Sequence, residues 1–374
     1  MTVIRRLAAD HVRVPFRRPF PTATGMWLER DAWLIRLMDA DGRVGLGEAV
    51  LEPETGEVAE TVLAALIREI ADAGPGSALP SRVDLELHGA PGRALNAAIE
   101  SAMFDLEGSV APRIALDGDG IGVNATLPSL GPVASAEAAR QSVESGFATL
   151  KVKAGTERET EVLVERVRAI REAVGPDVRL RLDVNGGWDL VTAEERLESV
   201  ARYDIEFVEQ PLPAHEIDGL AELRRRVRVP LAADEAAASV RDVRALLLAD
   251  AVDVLIVKAA RVGGPSAASE IAELAAEQGI PVVISTLFET GIGIAAALAT
   301  AARVPDVVSS NLSSPLDHGL ATAGLLEHDL LVESLIVEDG RMVAPVGPGS
   351  LGLGVGLDPR ALDRFRVEAV GSLE

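Results

Sequence analysis

FATLKVKAGTERETEVLVERVRAIREAVGPDVRLRLDVN, residues 147–185, decides the fold. FATLKVK is an apolar run ending at Lys153, ETEVLVERVRAIREAV repeats apolar residues every three or four positions, and VRLRLDVN is apolar again up to Asp183. That order reads as strand, helix, strand, the unit of a parallel sheet. The unit recurs downstream. IEFVEQP carries Glu209, VPLAADE carries Asp234 and VDVLIVK ends at Lys258, with helical patterns such as TAEERLESVARY, SVRDVRALLLAD and SAASEIAELAAEQG around them. The steps between the five charged residues are 30, 26, 25 and 24 residues, each close to one strand plus one helix.

A parallel (β/α)8 barrel sends the residues that close successive strands to one mouth, where such folds keep their chemistry. IPVVIST (280–286) and PDVVSSN (305–311) supply the last two expected strands, and IGVNAT (121–126) the first. The competing arrangement, an open doubly wound sheet, favours a G-x-G-x-x-G turn after its first strand, which this sequence lacks. With 374 residues the chain exceeds a bare barrel of about 250. The surplus lies mostly at the front, where VIRRLAADHVRVPF and AWLIRLMDADGRVGLGEA alternate as strands, the second turned at Asp41–Gly42. GEVAETVLAALIREIADA and ALNAAIESAMFDLEG follow as helices. The expected architecture is a modified (β/α)8 TIM-type barrel over 119–325, an N-terminal α+β capping domain over 1–118, and a segment over 326–374 that returns to the cap.

Composition narrows the function. The net charge is −22 and no Lys/Arg cluster is interleaved with aromatics, which argues against nucleic acid or an anionic membrane as partner. Cysteine is absent, so disulfides, thiolate metal sites and cysteine nucleophiles are excluded together. The N-terminus has no signal-peptide apolar core and GIGIAAALATAA is too short to span a bilayer, so a cytoplasmic location is expected. Homo-oligomerisation stays open, because barrel-helix faces and interface faces look alike in sequence.

Asp183, Glu209 and Asp234 offer three hard oxygen donors from three strand ends, a set suited to Mg2+, with Mn2+ as substitute, rather than Zn2+. Taken singly each could be a structural ion-pair partner; their common spacing favours one metal site. Lys151 and Lys153, two residues apart, share one strand face about 6–7 Å apart. At an effective dielectric near 20 they repel by about 2.5 kcal/mol, which is expected to depress one amine toward a neutral base. Lys258 faces them from a strand across the barrel. The bland alternative is that these lysines only balance the carboxylates.

These residues resemble the enolase superfamily, and within it the muconate lactonizing enzyme subgroup. The matching elements are KVK at 151–153, DVNGGW at 183–188, EQPL at 209–212, ADE at 233–235, VKAARVGG at 257–264 and the joining helix NAAIESAMFDLEG at 96–108. The resemblance implies abstraction of a proton alpha to the carboxylate of a small substrate, giving an enediolate. It implies Asp183, Glu209 and Asp234 as metal ligands, Lys153 as base, Lys258 as the opposite-face lysine, Lys151 as an auxiliary lysine, and Asn185 and Glu235 as outer supports. No His occupies 280–293, unlike the mandelate racemase subgroup. Dipeptide epimerases carry an Asp-x-Asp near the eighth strand for the substrate ammonium, whereas SSNLSSPLDHG offers only Asp317. STLFETGIGIAAAL and HGLATAGLLEHDLL are most similar to o-succinylbenzoate synthases, and KAARVGG, with Arg261, also resembles N-acylamino acid racemases. Cycloisomerization is a further member of the set, and a non-catalytic binding barrel is the alternative of another class.

Ser285, Thr286, Glu289 and Arg261 are the expected substrate-side residues. Gly291 and Gly293, at a helix start, offer backbone N–H groups to an anion or serve close packing. RRPFPTATGMW (17–27) resembles the cap loop that closes over substrate in this family, although Arg17 and Arg18 read as a solvated pair. His318 and His328 read as structural.

Overall fold

The computed structural model describes residues 3–22, 25–52, 55–74, 78–108, 120–309, 312, 315–343 and 352–373. Two long strands, β1 (Ile4–Thr22) and β2 (Gly25–Asp39), form an antiparallel ribbon, and β3 (Val44–Ala49) returns along β2. Their alternation explains the pairing. Leu34, Ile35 and Leu37 are fully buried on the two faces of β2, and the turn into β3 is tied by Asp39 Oδ1, which accepts from the N–H groups of Asp41 and Arg43 at 2.9 Å each. The helix Ala90–Glu107 lies directly on β3: a Cβ at Gly47 would stand 1.9 Å from the Ala98 carbonyl oxygen, so only glycine permits that approach.

The barrel begins with β4 (Ile121–Gly122) and β5 (Ala125–Leu127). It continues with β6 (Thr149–Lys153), β7 (Arg179–Asp183), β8 (Ile205–Glu209), β9 (Leu231–Ala233), β10 (Val254–Lys258) and β11 (Val282–Ser285). From β5 to β11 the strands pair in parallel, in chain order, with helices between them. Parallel pairing in register puts alternate residues of neighbouring strands in shared layers. Phe207, Ala232, Val254, Ile256 and Val283 pack with Leu316 as one apolar cluster inside the barrel. Outward-facing Leu150, Val152, Leu180, Leu182, Val208, Leu255 and Val257 join the larger core beneath the helices.

The closing strand differs from expectation. Residues 305–309 carry no strand, and 310–311 lie outside the described residues. His318 bridges Val123 and Gly319 bridges Ser285, both in parallel, so residues 318–319 link the first strand to the last. The reason is burial: Val308 is 82% exposed, whereas Leu316, His318 and Leu320 are buried. A closing element must be apolar or hydrogen-bonded on both sides, and LDHGL (316–320) satisfies that where PDVVS (305–309) does not.

The chain ends in the cap. After β12 (Val337–Glu338) and β13 (Arg341–Met342), which pairs with β4, the helix Pro359–Phe365 leads into β14 (Arg366–Val370), antiparallel to β1. Arg366 Nε and Arg36 Nη2 each lie 2.7 Å from the buried Asp10 carboxylate, fastening that edge. The boundary expected at 118–119 falls largely among residues outside those described. Among the described residues no helix is long and apolar enough to cross a membrane.

Asp317 is placed at the end of the barrel opposite the lysines. Its carboxylate accepts from Thr149 Oγ1 at 2.6 Å and meets Arg179 Nη2 at 2.5 Å, and both partners begin the strands that Lys153 and Asp183 end. Four residues of strand separate these layers by about 13 Å. Asp317 is therefore no candidate for a substrate ammonium. Asp317→Ala should lower unfolding free energy by about 2 kcal/mol in denaturant titration while divalent-cation affinity stays within twofold; a loss of cation binding would place Asp317 at the wrong end.

Candidate active site

Register assembles the site. Lys153 pairs with Asp183, Asp183 with Glu209, and Lys258 with Ser285 at the C-terminal ends of β6, β7, β8, β10 and β11. Lys151 Nζ lies 2.9 Å from Asp183 Oδ2 and 3.0 Å from Glu209 Oε1. Lys153 Nζ donates to Asp183 Oδ2 at 2.7 Å and to Asn185 Oδ1 at 2.9 Å. Lys258 Nζ donates to Asp234 Oδ2 at 2.7 Å. A cavity of about 720 Å³ opens above them, lined by all three lysines, Asp183, Asn185, Glu235, Ser285 and Thr286. Glu209 and Asp234 lie just behind that lining, each almost fully buried.

Around these residues, further polar groups fix the geometry. Asn185 has a left-handed backbone, φ 51°, and its amide donates to Glu235 Oε1 at 2.9 Å while its oxygen receives Lys153. Asn tolerates that region better than most residues. Gln210, inside the EQPL element, has a role that its sequence did not disclose: its buried Oε1 accepts from the N–H groups of Asp234 and Ala236 at 3.0 Å, which aims the β9 end.

The expected lysine repulsion is outweighed. Burial alone would lower the Lys151 amine, but the charges of Asp183 and Glu209 beside it raise it well above the ordinary lysine range. Asp183, despite burial, is held below the usual carboxylate range by Lys151 and Lys153. Asp234 is likewise held low by Arg261 and Lys258 against the penalty of burial. Glu209 goes the other way, pushed up to about 8 by burial and by the charge of Asp183. One ammonium cannot neutralise two carboxylates, and Lys151 is shared.

Two expected substrate residues lie elsewhere. Arg261 is buried behind the cavity, with Nη1 2.6 Å from Asp234 Oδ1 and its other nitrogens on the Glu52 carboxylate of the cap. Four of its five N–H donors hold Asp234 to the cap. Glu289 accepts from the Leu287 N–H and packs beside Glu48 under the cap, outside the lining. Gly291 and Gly293 do cradle anions, but the anions are the protein's own: Gly291 N–H donates to Asp329 Oδ1 and Gly293 N–H to Glu48 Oε2, each at 2.9 Å. Arg17 and Arg18 are exposed, His328 is exposed, and His318 is buried, pushed down to about 4 by burial, with Nδ1 accepting from Ile284 N–H. Glu52, Trp27 and Phe288 line the cavity without having been selected individually, because irregular loops and a distant cap segment leave no periodic signal.

The donor set fits a hard divalent cation. Among the described residues no three acidic or histidine side chains already form a finished cation cage; the carboxylates meet ammonium groups instead. Asp183 Oδ1 is nevertheless buried without a hydrogen-bond partner. The cluster is also short of positive charge: Lys151, Lys153, Lys258 and Arg261 face Asp183, Glu209, Asp234, Glu235 and Glu52. Asp183, Glu209 and Asp234 would hold the cation. Titration calorimetry should show one Mg2+ or Mn2+ site per chain, with Asp183→Asn and Asp234→Asn each weakening it at least tenfold. Unchanged affinity in both variants would remove these carboxylates from the site.

Residues 134–361 match the family described as Enolase C-terminal domain-like. The chain is 42% identical to an o-succinylbenzoate synthase of Thermobifida fusca over 61% of its own length and 67% of that protein's. The structure of a dipeptide epimerase from Enterococcus faecalis V583, complexed with Mg and the dipeptide L-Leu-L-Tyr, superposes with a TM-score of 0.79 at 28% identity, covering 95% of this chain and 99% of that one. A muconate lactonizing enzyme from Pseudomonas fluorescens, complexed with muconolactone, gives 0.83 at 26% identity over 98% and 99%. With well over half of its length in that match, carrying every strand-end lysine and carboxylate described above, the chain belongs to the enolase superfamily.

Proposed function

We propose that the protein is an o-succinylbenzoate synthase, dehydrating 2-succinyl-6-hydroxy-2,4-cyclohexadiene-1-carboxylate in menaquinone biosynthesis, with Mg2+ as cofactor and Mn2+ as substitute. The observation that carries this reading is a cavity with lysines on β6 and β10 in which, among the described residues, each lining carboxylate already has a protein partner. The acids lining it are engaged: Asp183 by Lys151 and Lys153, Glu235 by Asn185, and Glu52 by Arg261. Its apolar wall, Leu287, Phe288 and Trp27, with the two rings edge to face at 5.6 Å, suits a carbocyclic ring better than a dipeptide backbone.

Lys153 acts as the base. A neutral amine keeps two N–H donors and one lone pair. The two donors match Asp183 Oδ2 and Asn185 Oδ1, which leaves the lone pair for the substrate. The amine takes the alpha proton and the C–H electron pair flows into the carboxylate, giving an enediolate. Lys258 offsets that charge from across the cavity. A bound divalent cation would supply further positive charge to the substrate carboxylate. When the electrons return, the β-hydroxyl departs and takes the proton from Lys153, leaving as water and restoring the amine.

The pairing of two lysines also favours a second reading, N-acylamino acid racemization, in which each lysine serves one enantiomer. Dehydration should dominate. In a spectrophotometric assay with Mg2+, Lys153→Ala should lose about a thousandfold or more in kcat, and Lys258→Ala about a hundredfold or more, with cation affinity retained. Rapid racemization of N-acylamino acids beside no detectable dehydration would reverse the order of the two readings.

A further inference from the structure

Beside the cavity, two carboxylates and one guanidinium are buried together where the cap meets the barrel. Glu48 of β3 accepts from Thr290 N–H at 2.9 Å, Thr290 Oγ1 at 2.7 Å and Gly293 N–H at 2.9 Å, so it caps the helix Gly291–Ala301 from the other domain. Glu289 precedes that helix and accepts from Leu287 N–H. A Cβ on Gly293 would lie 2.5 Å from Glu289 Cβ and 3.1 Å from Glu48 Oε2, which shows how closely both acids crowd one glycine. The cation whose charge acts on both is Arg30 of β2, which forms no ion pair with either; its Nη1 donates to Leu51 O at 2.8 Å, and its Nε and Nη2 are buried without hydrogen-bond partners. Glu60, from the helix Gly56–Asp72, and Asp31 draw on the same guanidinium.

One arginine cannot balance this set, and both interior acids are almost fully buried. A proton on one of the two acids lowers the cost of burying both so close together. Burial and the charge of Glu48 push Glu289 up to about 7, and burial likewise raises Glu48. The residues that Glu289 steadies are the cavity wall. Leu287 and Phe288 line the cavity, Phe288 has a left-handed backbone at φ 62°, and its ring meets Trp27 and Phe16 of the cap at 5.6 and 6.0 Å.

We propose that Glu289 is a positioning residue held protonated beside Glu48, and that loss of this proton loosens the Leu287–Phe288 wall and its contact with the cap. The inference does not depend on which reaction the cavity performs. The sign follows from linkage: a carboxyl held above its ordinary value near 4.3 makes stability fall as pH rises from there to about 7, with the loss complete above it.

Thermal unfolding midpoints between pH 5 and 9 test this on the intact chain. Glu289→Gln, a neutral isostere of the protonated acid, should match the wild type near pH 5 and exceed it by about 3 °C at pH 8.5. Parallel curves for the two proteins would overturn the proposal. Amide exchange in the wild type needs no variant: after correction for intrinsic rates, a peptide containing Leu287 should exchange about tenfold faster at pH 8.5 than at pH 6, and equal protection would also overturn it.

Discussion

Parallel register is the constraint on which the structure depends. Because Lys153, Asp183 and Glu209 occupy paired positions on adjacent strands, and Lys258 pairs with Ser285, no loop has to search for the site geometry. A one-residue slip of any strand would turn its functional side chain out toward the helices. The same alternation fills the barrel below with Phe207, Ala232, Val254, Ile256 and Val283, so rigidity beneath the site and chemistry within it come from one pattern.

That pattern concentrates negative charge, and the cap is built partly to manage it. Arg261 joins Asp234 to Glu52, and Glu48 of the cap accepts from Thr290 and Gly293 of the barrel. Both links run between cap and barrel, and both are buried, where electrostatic interactions are stronger and unpaired charge costs more. The cap is thus held to the barrel mouth by polar contacts that also position groups around the cavity. Trp27 and Phe288 add an apolar contact at the same seam.

Strand rhythm and the strand-end charges were legible in the sequence because the helix-facing side of a barrel strand is apolar and its last inward residue sits at the mouth. Lys151, Lys153, Asp183, Asn185, Glu235, Lys258, Ser285 and Thr286 line one cavity, with Glu209 and Asp234 immediately behind. The closing strand was not legible, since two bridging residues, His318 and Gly319, replace a full apolar run. Arg261 and Glu289, expected on the substrate side, lie behind the cavity lining beside acids of the cap, partners that charge and position in the sequence do not reveal. Gln210 and Glu52 act through contacts far apart in sequence, which no local pattern encodes. For Lys151 the expectation of a depressed amine left out the carboxylates beside it, Asp183 and Glu209, whose charges raise its amine.

The central claim is that the strand-end carboxylates form one cation site beside Lys153 and Lys258. Anomalous diffraction from crystals of the protein grown with Mn2+ tests it directly. The account predicts a single strong peak within bonding distance of carboxylate oxygens of Asp183, Glu209 and Asp234. A peak elsewhere, with these three side chains still held by Lys151, Lys153 and Lys258, would contradict it.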